Sequence, residues 1–286
     1  MKFILLLILT WNIAWAETDP SQLVFGFIPS GSDTETTEAS NLVAEHLRKN
    51  LGVNVKVFIS KNYSEMIESI DQNKVDFAFL TAMTYVIAEK KSGVKVLLKK
   101  VWDEPFYYSI FITKNLKING LKDLKGKKVA FVDANSTSGY LHPMMALKKN
   151  KIEQSQLGKV LFSGNHAASI ELLEKGEVDV VAVFSDDKKG KNSAWQKYAK
   201  NPKTPYKVLW TSDPIPNDPL IVRKDFYNAY PKLTHNLMFS LIDLLDEKRN
   251  NPSIKKYFGA HSLVPATSRQ YDPVRELVKE FNPRVE

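Results

Sequence analysis

From Leu23 almost to its end, the chain alternates short apolar runs with segments whose apolar residues recur at helical spacing. Residues 23–28 are short and apolar, and residues 37–51 carry Leu42, Val43, Leu47 and Leu51 along one helical stripe. Residues 53–59 alternate as a strand does, 63–70 repeat as a helix does, and 75–80 form another continuous apolar strand. A strand apolar on both faces must be covered on both, and intervening helices supply that cover in a parallel sheet. The pattern predicts an α/β fold, with no low-complexity segment or Gly/Ser linker to interrupt it.

An internal echo adds a second layer. The segments VFISKNYSEMIESIDQNKVDFAFL and VLFSGNHAASIELLEKGEVDVVAVF each read strand, Asn, Tyr or His, helix, then Val-Asp and an apolar strand. The spacing from Tyr63 to Val75 equals that from His166 to Val178, 12 residues in each case. The opening strands LVFGFIPSGSDT and KVAFVDANSTSG likewise both run into small, hydroxyl-rich residues. Two units of one design predict two lobes. Ligands of parallel sheets sit at the carboxyl ends of strands, where helices begin. That rule gathers Tyr63, His166 and the turn Ser136, Thr137, Ser138, Gly139 into one candidate site.

The turn itself, in KVAFVDANSTSGYLHPMM, sets three consecutive hydroxyls and a glycine between a strand and a helix. Amide groups at a helix start carry partial positive charge and need acceptors, and one Ser or Thr cap supplies one. Three hydroxyls exceed that need. A glycine that lets backbone come close, with hydroxyls beside free N–H groups, suits a tetrahedral oxyanion; capping with solvent is the alternative reading. Pro143 would remove an intrahelical bond if the helix began at Ser138, so an irregular turn is expected ahead of it.

Other chemistry finds little support. Lys2, the apolar run 3–15, and Ala14-Trp15-Ala16 ahead of a polar stretch read as a signal peptide over residues 1–16, which predicts export to the periplasm. The run falls short of the roughly 20 apolar residues of a spanning helix. With no cysteine, disulfides and thiolate metal sites are excluded, and the five histidines lack His-Glu-x-x-His spacing, so neither metal nor cofactor is expected. The formal charge of +8 is scattered in short clusters rather than gathered on one aromatic-rich face, which argues against nucleic acid as a partner. No dinucleotide, phosphate-loop or nucleophile-elbow motif is present. Ser138, His166 and Asp186 could be drawn as a triad, but any chain of this length offers such a trio.

VAFVDANSTSGYLHP, FSGNHAASIELL, VDVVAVFSDD and IPNDPLIVRKDF together resemble the phosphonate/phosphite/phosphate-binding proteins of ABC importers, the PhnD-like group. The likeness runs from LVFGFIPS to about Phe226. It implies a two-lobed periplasmic binding protein of type II architecture, working as a monomer with a membrane permease and doing no catalysis. Lobe 1 would span 17–113, lobe 2 residues 114–215, and 216–286 would return to lobe 1, with hinges near 111–115 and 209–221. The resemblance implies that Ser136, Thr137, Ser138 and the amides around Gly139 cradle the oxyanion, that His166 reaches it, and that Tyr63 comes from the opposite lobe. Tyr108 or Tyr107 would add an aromatic contact. Members that take 2-aminoethylphosphonate hold the amine with two acids, and Asp186 and Asp218 fall at or near those positions. An aminoalkylphosphonate is therefore the expected ligand, although Asp186 is shorter than the glutamate such binders carry. A phosphite or phosphate binder, a ligand sensor for a membrane receptor, and a phosphoester hydrolase on the same frame are the competing readings.

Overall fold

The computed structural model describes residues 19–29, 33–102, 104–247 and 260–281. The signal peptide read from residues 1–16 lies outside them, as does most of the Pro-Ser-Gly-Ser stretch after the first strand.

The alternation becomes two six-stranded sheets, each the floor of one lobe. In the first, β1 (Gln22–Phe27) lies between β2 (Asn54–Ile59) and β3 (Phe77–Phe79), parallel to both. β11 (Pro219–Val222) and β12 (Ser262–Pro265) flank β4 (Lys95–Val101), giving the order β12-β4-β11-β3-β1-β2. In the second, β6 (Lys128–Phe131) lies between β7 (Lys159–Phe162) and β8 (Val180–Ser185), again parallel to both. β5 (Phe106–Thr113) runs antiparallel to β8 and is flanked also by β9 (Lys207–Thr211) and β10 (Ile215–Pro216). Thus β1, β2 and β3 correspond to β6, β7 and β8. The antiparallel neighbour of the third strand is β11 in one sheet and β5 in the other, so each lobe receives that strand from across a connection.

Helices cover both faces because the strands are apolar on both. In the first lobe Phe25, Phe77, Leu98 and Leu220 pack against α1 (Asp33–Leu51) and α8 (Pro231–Glu247). The opposite face is filled by Met66 of α2 (Tyr63–Asp71) and Met83 and Ile87 of α3 (Ala82–Ser92). In the second lobe, α4 (His142–Lys149) covers one face with Met144 and Leu147, while α5 (His166–Lys175) and α6 (Ala194–Tyr198) cover the other with Ile170 and Trp195. α7 (Lys224–Ala229) leads into α8. α9 (Asp272–Phe281) reaches both lobes: Arg275 pairs with Glu89 of α3, and Phe281 stacks edge-on against Tyr140 at 5.5 Å.

The chain passes between sheets at 102–105 and 217–218. The first crossing is earlier than the boundary at 113 read from the sequence, because 106–113 is apolar enough to be a central strand of the second sheet. Asn217 Nδ2 donates to the Glu104 carbonyl at 3.0 Å, tying the two crossings together. Among the described residues no helix is long and apolar enough to cross a membrane.

Candidate functional site

Four helix starts lie together: those of α2 and α3 hydrogen-bond across the lobes to the hydroxyl turn and the residue before it, and that of α5 follows a loop whose Gly164 N–H donates to the Val132 carbonyl, just ahead of the turn, at 2.8 Å. In the first lobe, Asn62 caps α2 by accepting from Glu65 N–H at 2.8 Å, which makes Tyr63 the first helical residue. In the second lobe, Asn165 caps α5 by accepting from Ala168 N–H at 2.8 Å, which puts His166 in the equivalent position. An extended Asn whose side chain folds back on the following helix fixes both directions locally. The echo between residues 62–75 and 165–178 is thus a repeated piece of structure. The third start is that of α3, capped by Thr81, and the fourth is the hydroxyl turn.

That turn is irregular, as Pro143 requires: a single π turn, Thr137–Leu141, leads into α4, where the proline occupies the first turn. Ser136, Thr137 and Ser138 are all buried. Ser136 Oγ accepts from Gly139 N–H at 3.0 Å, so this amide is directed inward to the cap. A Cβ on Gly139 would lie 2.5 Å from Val132 Cβ and 2.8 Å from Ser136 Oγ. Gly139 therefore keeps the turn tight against the end of β6; the room that its missing side chain leaves is filled by protein rather than held for a ligand. Thr137 Oγ1 accepts from Met83 N–H at 2.8 Å, across the lobes, and so satisfies an amide at the start of α3. Asn135 adds two further ties, donating through Nδ2 to Ser64 Oγ at 2.9 Å and accepting at its carbonyl from Thr84 Oγ1 at 3.4 Å. Of the three hydroxyls, one caps its own turn and one caps a helix of the other lobe.

Two tyrosines close over the turn. Tyr63 is buried with its phenol beside the Ser136 hydroxyl, and it is pushed up by burial and by the nearby charge of Asp133. Tyr107 has its phenol beside the Thr137 and Ser138 hydroxyls and is pushed up by burial and by Asp218. Alternation along β5 sends Tyr108 to the other face, where its ring meets Phe106 edge-on at 5.8 Å. Of the two tyrosines left open by the sequence, Tyr107 is the one at the turn, and Tyr108 is not brought to it.

His166 is buried with its ring edge-on to Phe184 at 5.0 Å, and its Nδ1 has no hydrogen-bond partner. Burial, with a smaller contribution from Lys197, pushes its pKa down to about 3, so the imidazole is neutral at neutral pH. A neutral imidazole offers one N–H donor. Buried polar nitrogens are seldom left unpaired in folded proteins.

The two candidate acids differ. Asp186 follows β8, half-buried, with its backbone N–H donating to Asn192 O at 2.7 Å. Its neighbour Asp187 shapes the loop, accepting from Lys189 N–H at 2.8 Å and Asn192 N–H at 2.6 Å. Asp218 lies in the second crossing, and its charge reaches Tyr63, Tyr107 and Tyr271. Burial raises its carboxyl, opposed by Lys100, whose Nζ is 3.9 Å from Asp218 Oδ2. The sequence reading passed over Lys100, although the lysine pair Lys99 and Lys100 after the apolar run VLL of KVLLKKV was a visible sign. It also passed over Lys197, whose charge reaches both His166 and Lys100. Among the described residues no group of His, Cys, Asp or Glu could hold a metal ion.

Comparison with known proteins finds a matching family model and several relatives. Residues 25–271 match the model of a family described as ABC transporter, phosphonate, periplasmic substrate-binding protein. The phosphonates-binding periplasmic protein of Escherichia coli (strain K12) is 27% identical over 273 residues, covering 92% of this chain and 78% of its own. The phosphate-import protein PhnD of Mycolicibacterium smegmatis is 28% identical over 287 residues, with coverage of 92% and 86%. The solved structure of PhnD1 from Prochlorococcus marinus in complex with methylphosphonate superposes with a TM-score of 0.81 at 25% identity, over 93% of this chain and 100% of that one.

Proposed function

The chain belongs to the family of periplasmic substrate-binding proteins of phosphonate ABC transporters, and from that membership we propose that it traps a small phosphorus oxyanion between its lobes for a membrane permease. The family is one of binding proteins, not catalysts, and its members work in the periplasm. A cleavable leader at 1–16 and a monomeric mature protein complete the proposal.

The observation that carries it is the pairing of the hydroxyl turn with the buried, unpartnered Nδ1 of His166 at the lobe seam. Tyr63, Tyr107 and Ser138 add hydroxyls that can turn from one another to an anion without moving backbone. Hydrogen bonds to a charged group contribute about 1.5–3 kcal/mol each, so four supply about 6–12 kcal/mol, a range that spans the roughly 8 kcal/mol of micromolar affinity and at its upper end leaves a margin for desolvation and closure. Ligand that touches both lobes favours the closed form through its differential affinity. Relatives named for phosphonates, phosphate and phosphite share this frame, which supports the phosphorus oxyanion as the common element. An aminoalkyl ligand would further need carboxylates for its ammonium, and Asp186 and Asp218 are the two candidates.

A thermal-shift series with phosphate, phosphite, methylphosphonate and 2-aminoethylphosphonate tests this. A ligand at one hundred times its Kd adds about 2.7 kcal/mol of stability. At least one member should raise the melting temperature, and Ser138→Ala and His166→Asn should each weaken that ligand about tenfold or more. No response to any of the four would refute the proposal.

A further inference from the structure

We infer that Lys100 is a specificity-determining residue: by answering Asp218, it turns the cleft against ligands with an ammonium group and toward phosphorus oxyanions whose far end carries no positive charge. This inference rests on the oxyanion-binding reading and narrows it.

The main chain sets the pair. Lys100 N–H donates to the Asp218 carbonyl at 3.0 Å as β4 and the second crossing run side by side. The two side chains therefore leave adjacent backbone. Lys100 Nζ then lies 3.9 Å from Asp218 Oδ2 and 4.8 Å from the centroid of the Phe79 ring. Both side chains are largely covered, at 17% and 28% exposure. The aromatic face and the carboxylate hold the ammonium where solvent screens it poorly.

The pair also stands where the organic end of a ligand would go. β10 pairs Ile215 with Tyr107 and leads directly into Asp218, whose charge also acts on the phenols of Tyr63 and Tyr107 beside the turn hydroxyls. A phosphorus head seated on the turn leaves its substituent facing those rings and what lies behind them. An ammonium arriving there meets a carboxylate already matched by Lys100. Asp218 is thereby withdrawn as a partner for the ammonium, and the Lys100 charge beside it favours a neutral or anionic substituent. Like charges brought into one desolvated space are a standard means of rejecting a near-isostere.

Ethylphosphonate and 2-aminoethylphosphonate differ by that ammonium group alone, so their ratio of affinities reads the effect directly. Calorimetric titration of the exported protein should give ethylphosphonate a Kd at least tenfold lower. Lys100→Met releases Asp218 and should shrink the ratio tenfold or reverse it, whereas Lys100→Arg should preserve it. A wild-type preference for 2-aminoethylphosphonate would overturn the inference, and that ratio can be read whether or not the variants fold. So would a ratio that Lys100→Met leaves unchanged. If neither compound nor any other phosphorus oxyanion binds, the oxyanion reading itself fails; if both bind with a ratio indifferent to Lys100, only the role of Lys100 is lost.

Discussion

Replacing Thr137 by valine separates lobe closure from folding. The two side chains have nearly the same shape, and Thr137 is fully buried, so the packing survives. What disappears is the acceptor for Met83 N–H, 2.8 Å away in the other lobe. A buried donor left unsatisfied costs about 1–3 kcal/mol. With the lobes apart, water reaches Met83 N–H and the cost vanishes; with the lobes together, it is paid in full. The whole penalty therefore falls on the closed state, and affinity for the oxyanion should drop about 5- to 150-fold, the equivalent of 1–3 kcal/mol. The melting temperature without ligand should move little, as for changes of a few tenths of a kcal/mol. Titration calorimetry and ligand-free melting on the same preparations check both halves. A lower melting temperature with an unchanged Kd would refute the reasoning, since it would put the bond in a permanent core.

Gly139→Ala asks whether the turn depends on its contact with β6. A Cβ 2.5 Å from Val132 must displace a buried side chain or the turn, at about 1–3 kcal/mol for overpacking, with about 1 kcal/mol more if the Ser136 cap is broken. Chemical denaturation should show a midpoint shift at unchanged slope, and an unaltered midpoint would contradict the packing. Acid sensitivity offers another check. Burial holds His166 near a pKa of about 3 and His142 near about 4, against 6.5 for the ordinary imidazole. Between those values the unfolded chain binds protons that the folded chain refuses, so stability is full above pH 6.5 and declines as pH falls, by about 1.4 kcal/mol per pH unit for each group. Asp133 and Asp218, raised by burial, act in the opposite sense, so the test is a difference: His166→Asn should lose less stability than wild type between pH 6.5 and 4.5. Equal losses would mean that His166 is not buried in its neutral form.

The parts of the site legible in the sequence are those that local structure determines. Asn62-Tyr63 and Asn165-His166 could be matched because each Asn caps the helix that follows it, within four residues of chain. Pro143 announced an irregular turn for the same reason, since the residue itself forbids an ordinary helix through Ser138. Long-range partners left no such trace. Thr137 and Met83 are 54 residues apart, and nothing in either segment shows that the hydroxyl serves a helix of the other lobe. The glycine was legible as a position where a side chain cannot go, while the occupant of that space, Val132, is a matter of how the turn folds back. Tyr107 and Tyr108 stayed unresolved because a period of two says that they face opposite ways without saying which way is in.

Lys100 was hidden for a related reason, and Asp218 was legible only through the family resemblance: the meaning of both comes from the crossings. β4 ends and β11 begins beside each other, and the chain passes twice between the lobes at that place. Asn217 donates to the Glu104 carbonyl, Tyr271 donates to the Asn217 carbonyl at 2.9 Å, and Lys100 N–H holds the Asp218 carbonyl. The second crossing, which must flex for the lobes to part, thus carries Asp218, with Lys100 of β4 beside it; on the reading proposed above, that pair faces the ligand. A substituent that disturbs Lys100 and Asp218 strains the crossing as well as losing a contact. A compatible one leaves the crossing in its closed geometry. Specificity and closure then act through the same backbone, and a poor ligand should fail twice: it binds more weakly, and it leaves a larger share of the bound protein with its lobes apart.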